Sequence, residues 1–433
     1  MALIPRLDVA ALDALPLDPL TKGLPYDGPT MRVGDVGVQD WSVLDGDLPM
    51  PVAVIRQARV QANSAWMAAF TEANGLLIAP HGKTTMSPHL FDLQIADGAW
   101  AITVATVQQM QVCRRFGVRR VLMANQPIGL QAVKACFAAL QDTSFELYCL
   151  VDGDEGLAQL AEGARLNPPP EDNPLRVLVE VGFSGGRTGA RSRETALTLA
   201  RAIAATNGLM LSGFECFEGL LPTAEAADGL VNEVATLARR AIEEGLLSRD
   251  HPIVVSAGGS AFFDRVGERF NAHEFPFPVL RVLRSGCYLT HDCMGYAAAF
   301  ERICRQTQLA LPPGGLVPAL EVWAQVQSVP EKGRALLTMG KRDVGFDAGL
   351  PIPQYWYRPG SDMAGPQPMS QGYKTVALND QHCHLELPVD SDLQVGDLVG
   401  FGIGHPCTTF DRWSLLMMVD ETYRVVRAIK TFF

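Results

Sequence analysis

The sequence is short of positive charge: 36 lysines and arginines stand against 47 aspartates and glutamates, a formal net charge of −11. A balance of this sign lacks the basic patches that nucleic acid or an anionic membrane surface would need, and both partner classes are set aside. No apolar run approaches the length of a bilayer span. The opening "MALIPRLDVAALDALPLDPL" carries acidic residues through its apolar part and has no clean signal-peptide core. The nine cysteines lack the spacing of a disulfide framework, and their odd number in a long chain favours a reducing cytoplasm. Internal repeats and low-complexity tracts are absent too.

What is there is a large globular composition. Of 433 residues, 48% are hydrophobic and 19% charged, enough for a sizeable core and room for two domains. After a leader over residues 1–50, "PVAVIRQARVQANSAWMAAFTEANG" reads as a short strand running into an amphipathic helix that Gly75 stops. Apolar runs then recur at 76–80, 101–105, 120–125, 146–151, 176–182, 211–217, 253–259 and 282–286, separated by helical segments. Buried strands alternating with helices predict a parallel sheet covered on both faces, and eight of them predict a (β/α)8 barrel over 51–310. An open doubly wound sheet is the rival, but no G-x-G-x-x-G follows the first strand. The Pro/Gly-rich "LALPPGGLVP" ends the pattern, and alternating strands with turn signals predict a mainly antiparallel β domain over 311–433. The strand-like stretch 30–56 could join it.

In such a barrel the reactive groups lie beyond the C-terminal ends of the strands. Lys83, in "PHGKTT" after the first strand, would be partly desolvated there and suited to a Schiff base, although alone it better fits a solvated loop lysine. Arg187 sits in the glycine-rich "GFSGGRTGAR" after the fifth strand. The loops "SAGGS" after the seventh strand and "RSGCY" after the eighth fall where this fold often binds phosphate. Lysine opposite a phosphate cradle suggests pyridoxal 5'-phosphate. Late in the chain, "GHPCTTFDRW" pairs His405 with Cys407, a soft metal pair or, more simply, a buried histidine and a spare thiol.

Together, "PHGKTT", the Arg187 loop, "SAGGS", "SGCY" and "GHPC" resemble the D-serine dehydratase and D-threonine aldolase family, fold-type III pyridoxal-phosphate enzymes with an alanine-racemase-like barrel. The resemblance covers most of the chain from about residue 50. It implies that Lys83 carries the cofactor and takes the substrate's α-proton, that Arg187 faces the pyridine nitrogen, and that Ser256, Gly258, Gly259, Ser260, Gly286 and Tyr288 surround the phosphate. It further implies a divalent metal on His405 and Cys407, and a homodimer. His382 matches a histidine the family places near the active site, and it also fits a strand histidine at the edge of the β domain. Thiolate with imidazole suits Zn2+, whereas the aspartate that replaces the cysteine in aldolase-like members suits Mn2+ or Mg2+.

The implied reaction is dehydration of a β-hydroxy D-amino acid such as D-serine, D-threonine or 3-hydroxy-D-aspartate to a 2-oxo acid and ammonia. Cleavage to glycine and an aldehyde is the alternative, and non-catalytic cofactor binding a third. Three positions depart from the family pattern: Phe217-Glu218 stand where many relatives carry Tyr-His, and Gly182 replaces an acidic residue. Asp411 is expected to orient the loop or a metal ligand.

Overall fold

The computed structural model describes residues 4–248 and 250–433. Eight parallel strands, Leu77–Ile78, Ile102–Val104, Arg120–Met123, Glu146–Val151, Leu175–Val181, Leu209–Cys216, Ile253–Ala257 and Val279–Leu283, form one sheet in chain order. The first strand also pairs with the eighth, Leu77 opposite Val282, and a parallel bridge from His81 to Thr103 joins the first loop to the second strand. The sheet thereby curls shut into the expected barrel. Helices form between the strands because the sequence there shifts from period two to period 3.6. In Ala224–Glu243, for example, Ala227, Leu230, Val231, Val234, Ala238 and Ala241 are buried on one face, and the Thr223 hydroxyl caps the start by accepting from the Ala226 amide.

Alternation along the strands sorts the barrel interior into layers. Trp100, Leu122, Tyr148, Leu178, Val254 and Val282 pack into a separate apolar cluster inside it. The Trp100 and Tyr148 rings meet edge-on with centroids 5.2 Å apart, a contact worth about 1 kcal/mol beyond the area it buries. Two residues further along, on the same face, Leu178 gives way to Glu180, Val254 to Ser256 and Val282 to Arg284. The interior therefore turns from apolar to charged on approaching the mouth.

Beyond the Pro/Gly connector, strand Leu320–Glu331 runs antiparallel to Leu398–Gly402 and to Val52–Arg56. Leu415–Val419 lies parallel to Val52–Arg56 and antiparallel to Val425–Lys430. Val52–Arg56, inside the expected barrel range but also the end of the stretch 30–56 that could join the β domain, is hydrogen-bonded in the second sheet, and helix Gln57–Ala73 carries the chain across. Within the strand-like stretch 30–56, Met31–Arg32 instead pairs with Pro16–Leu17 in a small sheet of its own. The short helix Pro406–Phe410, following Leu398–Gly402, sets the "GHPC" segment against the turn Gly82–Thr84 at the barrel mouth. Among the described residues, no helix is long and apolar enough to cross a membrane.

Candidate active site

A cavity of about 390 Å³ opens at the C-terminal end of the barrel, within the size range of small-ligand sites. Its wall includes Lys83, Arg187, Gly259, Ser260, Gly286, His405 and Cys407, drawn together from loops more than three hundred residues apart. Ser256, Gly258, Tyr288 and His382 are placed elsewhere. The Tyr288 hydroxyl accepts from the Gln94 side chain at 3.1 Å and is buried among helices, because the tight turn Cys287–Leu289 sends neighbouring side chains opposite ways. His382 lies half-buried in the turn between strands Lys374–Leu378 and Cys383–Glu386, its carbonyl accepting from the Asn379 amide.

Lys83 is held in a turn that needs the glycine before it. A Cβ on Gly82 would lie 2.7 Å from Ile102 Cγ2 and 2.9 Å from the Phe91 ring. At the end of the neighbouring eighth strand, Gly286 approaches the same turn so closely that a Cβ would meet the His81 Cβ and carbonyl at 2.6 Å. His81 is kept neutral: burial pushes it well below the usual histidine range, and the charges of Lys83, Arg284 and Arg187 add to the effect. Its Nδ1 has no partner among the described residues, and neither has Arg284 Nε. Orphaned buried atoms beside a half-buried lysine and a close-approach glycine fit a planar, polar ligand such as pyridoxal phosphate.

The floor is ionic. Arg284, almost wholly buried, forms an ion pair with Glu215 and donates to Ser256 Oγ at 3.1 Å and to the Cys216 carbonyl at 2.9 Å. Ser256 therefore supports Arg284 rather than facing the cavity. Burial pushes the Glu215 carboxyl up to about 7, with Arg284 opposing and Glu180 and Glu218 adding to the rise. Glu180 accepts from the Thr188 hydroxyl at 2.7 Å and the Gln126 side-chain amide at 2.5 Å. Arg187, by contrast, is exposed at the rim, its guanidinium 5.1 Å from the Phe217 ring centroid. Sequence reading missed Arg284, Glu215 and Glu180, although a charge at an inward position of an apolar strand was a visible signal.

The expected phosphate loop holds a surprise. The fully buried Glu218 carboxylate accepts the amide hydrogens of Gly258 at 3.0 Å and Gly259 at 2.7 Å. Two donors expected to face an anion already serve one built into the chain. Ser260, Ala261, Ser285 and Gly286 complete this side of the wall.

Elsewhere on the wall, His405 Nδ1 lies 2.5 Å from Asp347 Oδ2, and Thr408 Oγ1 donates to the other Asp347 oxygen at 2.8 Å. Cys407 Sγ is 3.4 Å from Thr84 Oγ1 and 3.6 Å from Cys287 Sγ. Hydrogen bonding with Cys287, then with His405 and Thr84, outweighs burial and brings the Cys407 thiol down to about 4. His405 rises to about 9 through its bond to Cys407 and, against burial, to Asp347. Imidazole and thiolate so poised, with a carboxylate behind the imidazole, have the chemistry of a zinc donor set. Among the described residues, no three His, Cys, Asp or Glu side chains are already gathered around one point as a metal site. Asp411, expected to orient a ligand, instead accepts from Arg412 at 2.8 Å, and Asp347 is the residue on the histidine.

Comparison with known proteins places this geometry. The alanine racemase N-terminal domain matches residues 55–292, and a serine dehydratase domain matches residues 319–419. The 3-hydroxy-D-aspartate aldolase of Paracoccus denitrificans is 23% identical over 319 residues, 71% of this chain and 76% of that protein. The D-threo-3-hydroxyaspartate dehydratase of Delftia sp. is 29% identical over 153 residues, 35% of this chain and 39% of that protein. The crystal structure of D-threonine aldolase from Filomicrobium marinum superposes with a TM-score of 0.71 at 21% identity, covering 89% of this chain and 95% of that one.

Proposed function

Because the chain belongs to the D-serine dehydratase and D-threonine aldolase family of fold-type III pyridoxal-phosphate proteins, with its alanine-racemase-like barrel, we propose that it is a lyase dehydrating a β-hydroxy D-amino acid to a 2-oxo acid and ammonia. The observation that carries the reading is the placement of Lys83 and the His405–Cys407 pair on the wall of one cavity. Bound pyridoxal phosphate supplies the sink for the electron pair left at Cα once its proton is gone. Lys83 would hold that cofactor and, once released from it, take the proton. Arg284, paired with Glu215 at the cavity floor, would be the cationic partner of the ring nitrogen. Arg187, exposed at the rim, would take a substrate carboxylate. Ser260, Ser285 and Gly286 would take the phosphate beside the amides that Glu218 occupies.

His405 and Cys407 would hold the metal. A divalent cation there supplies Lewis acidity toward a β-hydroxyl leaving group, and the thiolate favours Zn2+ over Mn2+ or Mg2+. The working form would be a homodimer in a reducing, cytoplasmic setting, in keeping with nine unpaired thiols.

A second reading has its own support. The Paracoccus relative that aligns over most of the chain is an aldolase, and cleavage of Cα–Cβ would use the same lysine and the same metal. Incubation with D-serine, D-threonine and D-threo-3-hydroxyaspartate, assayed for 2-oxo acid, ammonia, aldehyde and glycine, tests both.

A further inference from the structure

His405 and Cys407 supply two protein ligands, whereas a catalytic tetrahedral zinc site keeps three and leaves the fourth position for water or substrate. A third donor lies beside them. Cys287, in the turn after the eighth barrel strand, lines the same cavity, and its sulfur lies 3.6 Å from that of Cys407. Two thiolates on one tetrahedral zinc, each about 2.3 Å from the metal, stand about 3.8 Å apart. The observed separation is close to that edge and far longer than the roughly 2.05 Å of a disulfide. Cys407 is the shared neighbour, 3.6 Å from the Cys287 sulfur and two residues after His405 on the same cavity wall. Asp347 holds the far nitrogen of His405, the usual arrangement behind a ligating imidazole.

We propose that Cys287 is a third protein ligand of the metal, making a His405–Cys407–Cys287 zinc site that spans the barrel and the β domain. As they stand, the three groups do not surround one point, and the cation would draw them together around itself. Three protein ligands would leave a tetrahedral ion one further position, and two sulfurs favour a borderline-soft ion over Mg2+ or Mn2+. It also ties the loop after the eighth strand to the "GHPC" segment, 120 residues later.

The inference rests on the metal reading above, and the test separates the two. X-ray absorption at the zinc edge of the zinc-loaded wild-type protein should count two sulfur neighbours per metal. In Cys287→Ser the count should fall to one, and competition with a chelator should show zinc held at least about tenfold more weakly. Sulfur-to-cobalt charge-transfer absorption of the Co2+-loaded protein should weaken in parallel. One sulfur neighbour in the wild type, or unchanged affinity in the variant, overturns Cys287 as a ligand while leaving His405 and Cys407 in place. A wild-type protein that binds no zinc overturns both. The wild-type count stands whether or not the variant folds.

Discussion

The Glu218 carboxylate accepts the Gly259 amide hydrogen at 2.7 Å, on the loop where the fold would seat a phosphate. Phe217 and Glu218 stand where the family resemblance leads one to expect Tyr-His, and the Glu218 carboxylate lies on the loop, bonded to both glycine amides. A cofactor phosphate must sit beside that charge or displace it. Glu218→Gln removes one like charge and should tighten pyridoxal phosphate roughly tenfold, while pyridoxal, which lacks the phosphate, should change little. A fluorescence titration of cofactor-free protein with both ligands checks this, and equal effects on the two would disconnect Glu218 from the phosphate.

Among the described residues, Lys83 is the one lysine on the cavity wall. Lys83→Ala should lose the visible absorbance of a lysine-bound cofactor and at least about 10²-fold in turnover, the scale of one general base. An absorbance that survives the change would assign the cofactor to another residue.

Asp347 acts through His405. Asp347→Asn keeps the shape but removes the charge behind the imidazole, and zinc affinity should fall about 10- to 100-fold. Chelator competition measures it. Removing the metal altogether should lower turnover further, and readdition of Zn2+ should restore it.

Glu215 links the site to stability. Its carboxyl is raised from the ordinary 4.5 to about 7 in the folded protein. The folded state therefore binds more protons than the unfolded state between those values. The contribution is present below pH 4.5 and is lost as pH rises through about 7, amounting to as much as about 3 kcal/mol. Urea denaturation of the cofactor-free protein should show wild type losing stability relative to Glu215→Gln over that window. A difference that does not vary with pH would contradict the shift.

The barrel was legible because eight apolar runs alternated with helical segments, and Lys83, Ser260 and Gly286 followed from where those runs ended. Val52–Arg56 was harder, since an isolated apolar strand does not say which sheet it will join. Arg284 and Glu215 were hidden inside apolar runs, although strict alternation places them on the face of Val282 and Gly213. Cys287 and Asp347 carried no local signal. They lie 120 and 58 residues from their partners, and only the closure of the barrel against the β domain brings them there. Tyr288 misled because adjacency in sequence is not adjacency in a tight turn.

Product analysis on the zinc- and pyridoxal-phosphate-loaded enzyme tests the central claim most directly. With 15N-labelled D-threo-3-hydroxyaspartate, labelled ammonia and unlabelled 2-oxo acid are expected in equal amounts. Labelled glycine with an aldehyde, and no ammonia, would contradict dehydration and leave the same site to the aldol reading.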